Sequence, residues 1–591
     1  MTEEFDIIIE NAEIVDGVNK AYRGSIGIVG DRIKEVGKFQ GDAVKLVDAT
    51  GLMAMPGFVD SHSHADGSFP WYPDCQSAVL QGCTTVVAGQ CGGSPAPLGE
   101  YMRPPRALSD ELYERSPYLY HRPSPLLPVE TVNETMEEKY GWTIDWRTMA
   151  EYFDFIGGLG ISLNYVPLVG HGTVRHMVMG EDYERHATAE EVDQMKVHIR
   201  QAMDEGCIGL SAGLDYDPDV FADRSEMDAC VATLKDYDGI YAPHWRRTGR
   251  RRDIKMGAGY SETQEGIMEV LDTCRSTGVR MNIAHIAPGW HTIPPMTPHI
   301  GKAIGEATVA PIDKAIEEGL DVSFDCIPWE CWEPLPYLCS VHFTQWLRLL
   351  GSREKLAEWL KVDEFRKRAW EEIESGKLFQ RVVINPCLNP AHWAENLKIT
   401  KHDNKEYEDK QLSEVAEVIG KDPWEVLCDL IVEDPDSRGS HTDYRGNEEQ
   451  MKVFFRHPRC TVGLDVSVCD DKWERRHPPY SIPLPDTYSG YTKFIIRYVR
   501  DGSLLTIEEA AQKCATLPAK FHGISDRGVL TTGAYADITL IDIPKLRIVG
   551  KPEESRNYPE GISHVLVNGE FVVEGGEHTG ARPGSILTRG K

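Results

Sequence analysis

The chain is short of positive charge. It carries 63 Lys and Arg against 93 Asp and Glu, a formal net charge of −30 over 591 residues. A surface of that sign repels phosphate backbones and anionic headgroups, so neither nucleic acid nor a membrane surface is an expected partner. No apolar run reaches membrane-spanning length. The opening stretch, MTEEFDIIIENAEI, has no basic region leading into an apolar signal core. The 14 cysteines form no CxxC pair and no closely spaced framework. That excludes a disulfide scaffold and fits reduced thiols in a cytoplasm, the expected location. Internal repeats and long low-complexity linkers are missing as well. What remains is an ordinary soluble composition, 41% hydrophobic and 26% charged, long enough for a large core and more than one domain.

Both ends of the chain read as β structure. Residues 5–16 (FDIIIENAEIVD) are β-branched with a polar break at Glu10 and Asn11, and 25–36 (SIGIVGDRIKEV) place Gly30-Asp31 between two strand-like runs. Near the other end, 536–542 (ADITLID) precede 564–573 (HVLVNGEFVV), with Asn568-Gly569 as a hairpin turn. A small β-sandwich domain built from 1–57 and 531–591 is expected. The middle, 58–530, alternates apolar strand-like runs at 84–87, 163–169, 209–211, 239–242, 281–284, 320–324 and 461–464 with amphipathic helical runs such as 189–205, 261–277 and 310–318. That alternation predicts an α/β fold, a parallel (β/α)8 TIM-like barrel, whose chemistry would sit at the C-terminal strand ends.

Those ends carry metal-ligand types. The stretch MPGFVDSHSHAD places His62 and His64 two residues apart at the end of a short buried strand, on one side of it. Cys91 follows the 84–88 run, His244 the 240–243 run, His285 the 283–284 run and Asp465 the 462–464 run. Taken singly, each has a bland reading: a polar turn, a buried thiol, a core histidine, a helix-capping carboxylate. Together they suit metal chemistry, since a thiolate and imidazoles hold zinc and a nearby carboxylate moves protons.

The same stretches resemble a known family. PGFVDSHSHAD at 56–66, VVAGQCGGSPAP at 86–97, LVGHGTVRHMVMG at 168–180, EGCIGLSAGLDYDPDVFA at 205–222, AHIAPG at 284–289, the 497–530 segment and TGARPG at 579–584 are similar to the amidohydrolase superfamily, and within it to the N-acyl-D-amino-acid deacylases (D-aminoacylases). The resemblance implies a zinc-dependent hydrolase of an amide C–N bond acting on a small-molecule amide, as a homo-oligomer. It implies Cys91, His244 and His285 as one tight Zn2+ site. His62, His64 and Asp465 would form a second, weak or empty one, with Asp465 also the catalytic proton carrier.

On the substrate side the sequence departs from the family. His285-Ile286-Ala287 lacks the lysine that D-aminoacylases use toward the substrate carboxylate, and His477-Pro478-Pro479-Tyr480 lacks a family arginine. Tyr216, in GLDY, matches a family tyrosine near the substrate. Insertions are expected near 97–140, 245–260 and 328–400. Arg246, the first arginine of WRRTGRRR, is a candidate anion binder. Trp329, in PWECWEPLPY, is a candidate wall for an acyl group, and His171, with Arg175, is expected at the pocket rim. A cyclic amide (hydantoin or imide) is the alternative substrate class, and a metal-free scaffold of the same fold is the non-enzymatic one.

Overall fold

The computed structural model describes residues 4–105, 126–215, 217–246, 262–286, 297–328, 333–335, 337–374, 384, 386, 391–441, 447–472, 483–551 and 554–589. From the N-terminus, β1 (Glu4–Ile14), β2 (Tyr22–Val29), β3 (Arg32–Gly37), β4 (Asp42–Asp48) and β5 (Met53–Pro56) enter one nine-stranded sheet. The polar break at Glu10-Asn11 does not turn the chain. β1 runs straight through it, with a register shift between Ile9 and Ala12 and Asn11 at φ +63°. A bulge absorbs the extra residue and leaves the apolar face continuous. Ile7, Ile9, Ala12 and Ile14 bury there against Ile26, Ile28 and Leu540.

The barrel follows: β6 (Phe58–Ser63), β7 (Cys83–Ala88), β8 (Asn164–Gly170), β9 (Gly209–Gly213), β10 (Ile240–His244), β11 (Arg280–Ile283), β12 (Val322–Cys326) and β13 (Cys460–Val462). They pair in parallel in chain order. β13 returns to β6 through side chain and loop: Ser61 Oγ donates to Val462 O at 2.9 Å, and Asp465 N donates to His62 O at 2.8 Å. Almost every residue of these strands is buried, as parallel strands covered by helices must be. The helix Ala189–Asp204 shows the packing logic. Thr188 and Glu191 close a capping box at its start, and Met195, Ile199, Ala202 and Met203 form its buried stripe.

Between β12 and β13 the chain builds a further unit with its own core, in which Leu347, Leu356, Leu412 and Trp424 are buried together. Its three-stranded sheet has Arg438–His441 in the middle, flanked by Glu333–Leu335 and Leu397–Lys401. The unit therefore reaches His441 and does not end near 400. After β13, β14 (Ile538–Ile541), β15 (Ile562–Val567), β16 (Glu570–Glu574) and β17 (Glu577–His578) complete the small sheet beside β5. The turn between β15 and β16 has Asn568 at φ +49° and Gly569 at φ +79°, the two positive angles that a two-residue hairpin turn needs. The last residues then leave this sheet for the barrel, where Leu587 N donates to Tyr165 O at 2.7 Å. Among the described residues no helix is long and apolar enough to cross a membrane.

Candidate metal centre

Five barrel strands end at one place. His62 is the last residue but one of β6, with His64 two residues on; Cys91 follows β7, His244 closes β10, His285 follows β11, and Asp465 follows β13. Cys91 is the hub. Its Sγ lies 3.3 Å from His62 Nε2, 3.4 Å from His244 Nδ1 and 3.5 Å from His285 Nε2. Asp465 faces it from the other side, with Oδ1 3.0 Å from His64 Nε2 and 3.4 Å from His62 Nε2, and Oδ2 3.9 Å from His285 Nε2. Donor atoms within 4.8 Å of one another form two groups, His62–His64–Cys91–Asp465 and Cys91–His244–His285. All six residue types expected from the sequence are thus brought together, and the thiol belongs to both groups.

Three of the six sit in strained backbone. Cys91, His285 and Asp465 have φ of +53°, +31° and +56°, a region that residues with a Cβ adopt only when their surroundings impose it. The surroundings are visible here. The loop after Cys91 is pinned by Gly92 N donating to Ser211 Oγ at 3.1 Å and by Thr173 N donating to Gly92 O at 3.0 Å. His285 N is held by Asp325 Oδ1 at 2.8 Å and Asp465 N by His62 O at 2.8 Å.

Burial sets the electrostatics. His62, His244 and His285 are wholly buried, whereas the His64 and Asp465 side chains keep 35% and 23% exposure. The carboxylate and His64 therefore form the open side of the centre. Burial disfavours the Asp465 charge, but His285, His62 and His64 outweigh it and hold the carboxyl well below its usual range. Burial likewise opposes the His64 cation, and the Asp465 and Cys91 contacts more than offset it, raising its pKa to about 10. Two buried acids behind the centre shift the other way. Desolvation pushes Asp60 up to about 7 and Asp325 up to about 6.

The chain is similar to several known proteins. A model described as "Amidohydrolase family" matches residues 45–125 and 466–573. Over those residues the chain is similar to the amidohydrolase family. An N-acyl-D-glutamate deacylase of Alcaligenes xylosoxydans xylosoxydans is 27% identical to this chain over 594 residues, covering 100% of this chain and 98% of the relative. A D-aminoacylase of the same organism is 25% identical over 590 residues, with the same coverage of 100% and 98%. A solved structure of an N-acyl-D-glutamate deacylase from Bordetella bronchiseptica, complexed with zinc and a phosphonate inhibitor, superposes with a TM-score of 0.66 at 24% identity, covering 99% of this chain and 100% of that one. That likeness establishes the fold.

The residues expected to touch substrate fare differently. Arg246 is buried, and its guanidinium is spent on protein: Nε on Glu269 Oε2 at 3.1 Å, Nη1 on Leu214 O and Val220 O, and Nη2 on Ala222 O. It clasps the β9 and β10 loops and does not offer itself to an anion. His171 does not line a rim. It is wholly buried at the start of the helix His171–Met179, with Nδ1 donating to Asp219 Oδ1 at 2.9 Å and Nε2 3.4 Å from Glu226 Oε1. Arg175 completes that buried network through Glu226, at 2.8 Å. Tyr216 and Trp329 lie outside the described residues, as do residues 247–261 with the rest of the arginine run.

Two carboxylates escaped the sequence reading. Asp215 Oδ2 lies 3.6 Å from His244 Nε2, and Asp325 Oδ1 lies 3.7 Å from His62 Nδ1. The signal for Asp325 was present: an acid inside the apolar strand VSFDC, on the same face as Ser323. A buried acid in a strand must have a partner.

Proposed function

We propose that this protein hydrolyses the amide C–N bond of an N-acyl-D-amino acid with zinc held at the Cys91–His244–His285 group, and that His62, His64 and Asp465 form a second, weaker group around the same thiol. The observation that carries the reading is Cys91 Sγ standing 3.3 to 3.5 Å from three imidazole nitrogens. One thiol and several imidazoles, buried and convergent, are the donor chemistry that zinc prefers. When bound, zinc lowers the pKa of a water to about 7, so that hydroxide is available near neutrality.

The protein's own groups supply the proton traffic. Asp465 stays a carboxylate at neutral pH, because the histidines around it hold its pKa down. Its partial exposure lets it meet a water at the mouth of the site. It takes the proton as the water oxygen bonds to the acyl carbon. It returns that proton to the leaving nitrogen as the C–N bond breaks, giving a carboxylic acid and a free amine. His64 Nε2, 3.0 Å from Asp465 Oδ1, orients the carboxylate.

The full-length relatives named as N-acyl-D-glutamate deacylase and D-aminoacylase support the D-amino-acid class. The missing lysine after His285 keeps a cyclic amide as the alternative substrate class. Zinc analysis with a screen of N-acyl-D-amino acids, their L forms and hydantoins separates the readings. Turnover of N-acyl-D substrates that scales with zinc content is expected. Exclusive hydantoin cleavage would move the assignment to the alternative, and no zinc with no turnover would end the enzyme reading.

A further inference from the structure

Asp325, wholly buried on β12, touches two residues of the centre, His285 and His62. Its Oδ2 accepts from Asn282 Nδ2 at 2.6 Å, and the Asn282 amide is itself fixed by Ser323 Oγ donating to Asn282 Oδ1 at 2.9 Å. Its Oδ1 accepts the backbone N–H of His285 at 2.8 Å and lies 3.7 Å from His62 Nδ1. That ring nitrogen is buried with no hydrogen-bond partner among the described residues. On the opposite edge of the same ring, Nε2 faces Cys91 and Asp465. The space between acid and ring is kept clear. A Cβ placed on Gly463 would come within 2.7 Å of Asp325 Oδ1 and 2.7 Å of His62 Cβ. Any side chain there would collide with both.

We propose that Asp325 is a positioning residue for the metal centre: it keeps the His62 proton on Nδ1, so that Nε2 presents its lone pair inward, and it holds the left-handed turn at His285. A neutral imidazole has one N–H, and the acceptor facing one nitrogen decides which of the two is free to bind an ion. With the proton on Nε2, His62 could not ligate. The present 3.7 Å gap is longer than a hydrogen bond, and a small rotation of the ring on loading closes it. Asn282 and Ser323 stop the carboxylate from turning away. One acid on β12 thereby sets two ligands, on β6 and β11.

This inference rests on the zinc reading above, and the test tells the two apart. Metal-free full-length protein is titrated with zinc against a chromophoric chelator. In Asp325→Asn, one amide N–H must oppose a donor, either Asn282 Nδ2 or the His285 N–H and His62 Nδ1–H pair. Zinc binding should weaken about 10–100-fold, as for other outer partners of a ligating histidine. Asn282→Ala, which keeps the acid but removes one of the contacts that hold it, should weaken zinc binding by clearly less than Asp325→Asn does. Equal affinity in parent and Asp325→Asn overturns the proposal, and so does an equal loss in both variants, which would reduce Asp325 to packing. A parent that binds no zinc overturns the metal reading and this inference with it. If Asp325→Asn does not fold, the parent decides. Zinc-loaded protein labelled with 15N-histidine should show a slowly exchanging Nδ1–H resonance that is absent in His62→Gln. A His62 ring protonated on Nε2 overturns the proposal.

Discussion

Cys91 Sγ and His62 Nε2 stand 3.3 Å apart, and through that contact the two groups of donors become one centre. A thiolate shared in this way cannot be removed from one group alone. Cys91→Ser substitutes a hydroxyl that stays protonated at neutral pH, so both groups should lose their anionic hub. Zinc affinity should fall by more than the ~10–100-fold that loss of an outer partner costs, and turnover should fall with it. Elemental analysis of the purified variant checks this. A full equivalent of retained zinc would take Cys91 out of the ligand set.

Asp465 has a different place. It is absent from the Cys91–His244–His285 group but faces the open side of the site. Asp465→Asn keeps the size and hydrogen-bonding edge of the side chain but cannot take a proton. The variant should keep zinc at the Cys91 group and lose about 10²–10⁴ in kcat, the contribution of a positioned general base. Metal content and steady-state kinetics on one sample separate the two effects. Near-normal kcat would remove Asp465 from proton transfer.

Much of this arrangement was legible before the structure, for identifiable reasons. Barrel strands are buried on both faces, so the 163–169 and 461–464 runs fall within a residue or two of Asn164–Gly170 and Cys460–Val462. The sequence pattern shows the helix Pro298–Glu317 only from 310, because Gly301 and Gly305 weaken the helical signal before it. In the structure Thr297 caps its start, Pro298 occupies the first turn where no N–H is needed, and the buried glycines let another element pack closely. Arg246 misled for a different cause. An arginine next to a ligand in a run of arginines looks like an anion binder, and sequence cannot reveal that Glu269 and three carbonyls already consume its donors. Asp325 was missed because its partners come from β6 and β11, which only the closed barrel brings together.

The His171–Asp219 pair should govern stability and not substrate affinity. Burial opposes the His171 cation, but Asp219 outweighs it and raises the pKa well above the usual value, so the ring is charged and paired. Asp219 Oδ2 also accepts the Gly213 N–H at 2.7 Å. Asp219→Asn leaves the buried cation with only the longer Glu226 contact. Removing one partner of such a pair costs about 3–5 kcal/mol. The expected result is a lower urea midpoint with KM unchanged in the fraction that remains folded. A raised KM at unaltered stability would return His171 to the substrate.

Acid should weaken the unit between β12 and β13 through His342. This ring is buried among Trp393 and Trp424, and its Nε2 donates to Ile384 O at 2.8 Å. Burial disfavours the cation and pushes its pKa down to about 4 from 6.5. The folded pKa is the lower of the two, so between these values the unfolded chain takes up a proton that the folded chain refuses. Stability from this group is complete above pH 6.5, declines as pH falls toward 4, and levels off below. The slope is about 1.4 kcal/mol per pH unit for one such group, and the whole window amounts to ~3 kcal/mol. Other buried groups, such as His522 with its pKa lowered to about 4, contribute to the parent's slope in the same interval, so the difference from His342→Gln reports on this ring. His342→Gln cannot charge in this interval. Chemical denaturation at several pH values should show the parent weakening on acidification and His342→Gln doing so less steeply, by about 1.4 kcal/mol per unit. Parallel slopes for the two proteins would mean that His342 is not buried as a neutral ring.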